Sequence, residues 1–208
     1  KGVELAVKVI DACGAPEFRN FWFFAAGLTN LEATLSVLDT VSFERRTYSS
    51  SLGAPFAPIR DTAHFSTCGS SPVESSFAAP AFAPPIAKGD AGCEDGGETL
   101  CLQEGRFEVT LDWAAASGPP NAARAQALSA ETGTFTFFDA GTVEAVVRLI
   151  DGCSFNDRYW LFAGGLTDVA TRLRVRDVLH PERDLVFEKP SGEPFAPILD
   201  LAAFAGCP

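Results

Sequence analysis

Two histidines, His64 and His180, are the only imidazoles in the 208 residues. Acid–base or acyl-transfer chemistry would need one of them beside a carboxylate or a nucleophile, but neither sits in a catalytic string. No G-x-S-x-G, H-E-x-x-H, P-loop or G-x-G-x-x-G pattern occurs, so the expectation is no catalytic residue and no enzyme. Aspartates recur at Asp11, Asp39, Asp61, Asp151, Asp177 and Asp200. Such carboxylates either ligate calcium, which takes several oxygens at once, or hydrogen-bond the backbone of a turn. Without a D-x-D-x-D cluster the expectation is no metal and no cofactor, calcium being the alternative that chelator-sensitive melting would reveal. Arg172, Arg174 and Arg176 share one face of "TRLRVRD". They either meet Glu108 and Asp112 across neighbouring strands or dock an acidic partner. Trp22 and Trp160 lie in segments with large apolar groups at successive positions, which means a strand covered on both faces or an aromatic platform for a ligand such as a sugar. Trp113, at the end of its strand, is the tryptophan expected to be most exposed.

Composition narrows the partners. A net charge of −11 and 47% hydrophobic residues describe a chain that folds and that does not bind nucleic acid through phosphate neutralisation. Anionic membrane surfaces are equally disfavoured, and no run approaches the ~20 apolar residues of a spanning helix. The chain contains no Met, as expected after export and cleavage.

The elements that must position these residues are repeated. "VELAVKVIDAC" at 3–13 returns as "VEAVVRLIDGC" at 143–153 with six of eleven residues identical, "FWFFAAGLTN" at 21–30 returns as "YWLFAGGLTD" at 159–168, and "PFAPIRD" at 55–61 returns as "PFAPILD" at 194–200. Three units follow: a partial repeat at 1–68, a Pro/Ala/Ser-rich linker at 69–92 and a complete repeat at 93–208. In this register Cys13 matches Cys153 and Cys68 matches Cys207, so the pairing expected from two like-folded copies is Cys13 with Cys68, Cys153 with Cys207, and Cys93 with Cys101. Paired cysteines belong to an oxidising compartment, and the expectation is a secreted, extracellular protein. Within the linker, Phe77 and Phe82 are large apolar residues that could pin it to a neighbouring surface.

Residues 105–115, "GRFEVTLDWAA", alternate apolar and polar, the signature of a half-buried strand. Segments 133–139, 143–151, 159–165, 171–177 and 183–189 read the same way, with Gly, Asn, Asp and Ser turns between them. The stretch 121–131, "NAARAQALSAE", reads as a loop with at most a turn of helix. Six or seven short antiparallel strands in roughly 105 residues fit an immunoglobulin-like β-sandwich. The fold expected is all-β, with two tandem immunoglobulin-like sandwich modules.

The strings "LCLQEGRFEVTLDW", "TGTFTFFDAGTVEAVVRLIDGC", "YWLFAGGLTD" and "LRVRDV" resemble a β-sandwich repeat of exported multidomain bacterial proteins, a family without an agreed activity. The likeness covers 93–180 well and 1–40 in part. It implies topology and setting rather than chemistry, and it implies that a full unit opens near Cys93 and Cys101.

By that measure the first copy lacks its leading strands, and a sandwich without them bares apolar surface and unpaired backbone groups. Proteolysis could have removed or separated the strands; the linker around Phe77 and Phe82 could fold back; or another molecule could lend them by β-augmentation. The function expected is an extracellular structural or adhesive repeat protein, with self-association by donor-strand complementation into a filament as the expected mode of assembly. The alternative is a carbohydrate- or protein-binding accessory module of a larger secreted protein.

Overall fold

The structure, a computed structural model, describes residues 3–14, 19–69, 92–115 and 118–208. Phe77 and Phe82 lie outside the described residues. The first repeat contributes β1 (Leu5–Asp11), β2 (Phe21–Gly27), β3 (Ala33–Leu38), β4 (Arg45–Ser50) and β5 (Ile59–Phe65). The second contributes β6 (Thr99–Leu102), β7 (Phe107–Ala114), β8 (Asn121–Ala122), β9 (Arg124–Ala127), β10 (Thr132–Thr136) and β11 (Val143–Asp151). The one-turn helix α1 (Cys153–Asn156), β12 (Tyr159–Gly165), β13 (Ala170–Asp177), β14 (Asp184–Lys189) and β15 (Ile198–Phe204) complete it.

The chain is all-β, and every pairing between its strands is antiparallel. In the second repeat a sheet of order β15-β12-β11-β10-β9 faces one of order β14-β13-β7-β6, with β8 on β7. Alternation along each strand sends Phe107, Val109, Leu111, Val147, Leu149, Leu161 and Leu173 into one core between the sheets. All the buried residues of that core lie between 100 and 204, so this sandwich is closed by its own chain. The stretch 121–131 is a correction: Arg124–Ala127 is an edge strand, pairing with β10 from Gly133↔Ala127 to Thr136↔Arg124. Its alanines are poor strand formers, and the available edge of β10 overrides that preference.

The first repeat repeats only part of this plan. Its sheets are β1-β2-β5 and β3-β4, the counterparts of β11-β12-β15 and β13-β14. Nothing among the described residues corresponds to β6, β7, β9 or β10 there. A disulfide closes each repeat, Cys13–Cys68 and Cys153–Cys207, and Cys93–Cys101 ties the entry to β6.

One glycine is required in the same place twice. A Cβ on Gly27 would fall 2.3 Å from the Cβ of Phe56, and one on Gly165 2.5 Å from that of Phe195. Both rings are buried and come from the "PFAP" string, so the strand runs directly over the phenylalanine. Gly27→Ala and Gly165→Ala should each destabilise their repeat by about 1–3 kcal/mol through overpacking, measured by urea denaturation.

Candidate functional site

The first candidate is the inner face of the first repeat. Along β1, Val7 and Val9 are 48% and 59% exposed, whereas their counterparts Val147 and Leu149 are fully buried. The difference is coverage: β11 pairs with β10 as well as β12, and β13 pairs with β7 as well as β14. Among the described residues β1 pairs only with β2, and β3 only with β4. Two strand edges therefore flank an uncovered apolar floor that includes half-buried Leu35 and Val37. Such edges are templates for an added strand.

The second repeat shows how the equivalent face is fastened. Arg106, at the head of β7, donates from Nη2 to Asp177 Oδ2 at 2.7 Å and from Nη1 to the Gly206 carbonyl at 2.7 Å. Its guanidinium lies 4.5 Å from the Tyr159 ring centroid and 5.1 Å from that of Phe107. Burial alone would raise the Asp177 carboxyl, but hydrogen bonds from Arg106, His180 and the Leu179 amide outweigh it and hold the carboxyl below its ordinary value. The first repeat keeps the acceptor without the arginine. Asp39, the counterpart of Asp177, instead accepts from the Thr67 hydroxyl at 2.6 Å and the Val41 amide at 2.8 Å. The Thr67 bond is the largest of the influences that keep Asp39 low. Sequence reasoning missed Arg106; the signal was a recurring Asp whose partner strand exists in one copy only.

The second candidate is the face between the repeats. Trp22, Phe24 and Ala26 on β2, with Ala6 and Ile10 on β1, pack against Leu166 and Val143. Reciprocally, Phe162, Val146, Ile150 and Trp160 gather around Leu28, Val3 and Ala6. Strands β2 and β12 are thus apolar on both faces because each is covered twice, by its own repeat and by the other. Lys8 donates to Glu144 at 2.8 Å with both side chains nearly buried (9% and 5% exposed), and Arg148 pairs with Glu4.

The remaining sequence-derived residues have local roles. Each recurring Asp accepts from the amide two residues on: Cys13, Val41, Ala63, Cys153, Leu179 and Ala202 donate to Asp11, Asp39, Asp61, Asp151, Asp177 and Asp200. These are Asx turns. Among the described residues no group of three His, Cys, Asp or Glu side chains could hold a metal ion.

The arginine stripe is answered mainly from β14: Arg172 by Glu188 at 3.3 Å, Arg174 by Asp184, and Arg176 by Asp184 at 3.2 Å. Of the two acids expected on β7, Glu108 stands 3.8 Å from Arg176, and the ion pairs among the described residues do not include Asp112. Strand β14 flanks the same arginines on the other side, and its carboxylates make the closer pairs.

Each histidine lies beside an aspartate three residues earlier in the sequence. His180 Nδ1 lies 3.1 Å from Asp177. His64 Nδ1 lies 2.8 Å from Asp61, which also accepts from the Tyr48 hydroxyl at 2.7 Å. Burial first, and then Asp61, push the Tyr48 phenol above its usual range. This Tyr–Asp–His link joins β4 to β5 across the two sheets of the first repeat; the second has Phe187 and Ala203 at the tyrosine and histidine positions. Trp113 is half-buried, stacks on Phe137 at 5.3 Å and meets exposed Phe138 edge-on. A groove beside it is lined by Asp112, Arg172, Glu188 and Lys189.

Comparison of the chain with protein-family models, curated proteins and solved structures gives no match.

Proposed function

We propose that the protein is an extracellular structural or adhesive repeat protein, built from immunoglobulin-like modules, that self-associates by strand complementation. The observation that carries this reading is the uncovered inner face of the first repeat, with Val7 and Val9 exposed where Val147 and Leu149 are sealed. The second repeat supplies the template for what fits. The added segment lays one strand along β1 in the manner of β10 and another along β3 in the manner of β7, and an arginine at the head of the latter reaches Asp39. Main-chain pairing provides affinity and the alternating side chains provide register. A heterologous contact of this kind, where it does not close into a ring, propagates head to tail as a filament. Three disulfides support an oxidising setting outside the cytoplasm.

Hydrogen exchange tests the acceptor directly. In the chain alone the amides of β1 and β3 should exchange far faster than those of β11 and β13. A synthetic segment of residues 92–142 added in trans should protect them, and Asp39→Ala should weaken its capture about tenfold. Amides at Val7 and Val9 already as protected as those at Val147 and Leu149 would overturn the acceptor, and negative-stain images of the native material without fibres would overturn the filament.

The aromatic cluster at Trp113 and its adjoining groove favour a second reading, a ligand-binding accessory module. Glycan-array binding lost on Trp113→Ala would support that reading.

A further inference from the structure

The contacts between the two repeats are reciprocal. Glu4 and Glu144 are counterparts in the repeat, as are Lys8 and Arg148. Lys8 of the first repeat pairs with Glu144 of the second, and Arg148 of the second pairs with Glu4 of the first. Residue i meets j while the counterpart of j meets the counterpart of i, which defines an isologous interface with a local twofold axis. The axis can be located. Ala26 and Gly164 are themselves counterparts, and a Cβ on Gly164 would fall 2.8 Å from the Cβ of Ala26.

We infer that the outer face of the β11–β12 sheet is a self-recognition surface whose fitting partner is a second copy of the same repeat. Everything the interface needs is present in the second repeat alone. Rotating another copy of it into the place of the first repeat puts Glu144 opposite Arg148 twice, and Phe162 where Phe24 lies. The extra methyls of Val146 in place of Ala6 are offset at the axis, where Gly164 replaces Ala26 and removes the methyl nearest the crossing. The ion pairs give selectivity: a buried Glu or Lys left unanswered is costly, so a surface lacking the matching charge at the matching height is rejected.

The second repeat provides the test, since its core and two of the three disulfides come wholly from residues 93–208. The fragment 92–208, its folding checked by near-ultraviolet circular dichroism, should sediment as a dimer with a Kd of about 10 µM or tighter. Glu144→Arg and Arg148→Glu should each weaken the dimer at least about tenfold by setting like charges face to face. Mixed one to one, the two variants should form a heterodimer, because each then offers the charge the other lacks. A fragment that stays monomeric at about 100 µM, or a mixture no tighter than its components, would overturn the inference. Should the excised repeat not fold, the intact chain carrying Lys8→Glu and Phe24→Glu exposes the same surface. It should gain a dimer that Glu144→Arg removes, and no gain over the parent chain counts against the inference. The fragment has no open groove, so its failure to pair leaves the strand-acceptor reading untouched.

Discussion

Replacing Arg106 with alanine should destabilise the second repeat by about 3–5 kcal/mol, the range for removing one partner of a buried ion pair. The loss is large because one guanidinium serves three acceptors: the Asp177 carboxylate and the carbonyls of Ala205 and Gly206. Asp177 is fully buried and would be left with only the Leu179 amide and the half-exposed His180. Arg106→Lys should recover little, since an ammonium cannot reproduce the two-armed geometry. The pH dependence has a defined sign. With its folded pKa held below the unfolded value near 3.9, Asp177 contributes stability that is complete above that unfolded value and lost as pH falls through the folded one. In Arg106→Ala the acid-unfolding midpoint should therefore move to higher pH. Urea unfolding of parent and variant across pH 2–7 measures both effects.

The two long disulfides should not be equivalent in consequence. Each closes a loop of similar length, 55 and 54 residues, and on the loop-entropy account each stabilises by about 4 kcal/mol. The repeats they close differ. The second has a sealed core, whereas among the described residues the cluster between the first repeat's strands buries only Phe23, Ala25 and Phe65. Replacing Cys153 and Cys207 with serine should lower the midpoint of a repeat that still folds. Replacing Cys13 and Cys68 should unfold the first repeat, collapsing hydrogen-exchange protection across 5–65 and leaving 99–204 ordered.

Much of the fold was legible because the chain describes itself twice. The register of "VELAVKVIDAC" on "VEAVVRLIDGC" carried the cysteine pairing. The matched aspartates were legible as turn formers because an Asx bond is local and depends on residue type alone. Partner choice was harder. The arginines of β13 have a neighbour on either side, and their alternation does not say that β14 rather than β7 brings the nearer carboxylates. The edge strand at Arg124–Ala127 was illegible for a related reason, since its pairing is imposed by β10 and its alanines advertise no strand.

The candidate surfaces were half visible. Large apolar groups at successive positions of "FWFFAAG" and "YWLFAGG" signalled two covered faces, but not that each repeat covers the other. Reading Glu4 and Lys8 beside Glu144 and Arg148 as one swapped set requires knowing that these strands meet.

A twofold pair by itself has no front or back, and beyond the strands that, among the described residues, only the second repeat has, Arg60 departs from that symmetry at the contact itself. Arg60 reaches Asp168 at 3.4 Å and the Gly192 carbonyl at 3.3 Å; at the mirrored spot Leu199 joins the apolar cluster around Phe162, and Asn30 stands in for Asp168. That exposed bond adds little stability, yet it is a second feature that distinguishes the two halves. In the proposed filament, such units would stack end on end and all point the same way, giving the fibre a compass bearing as well as a length.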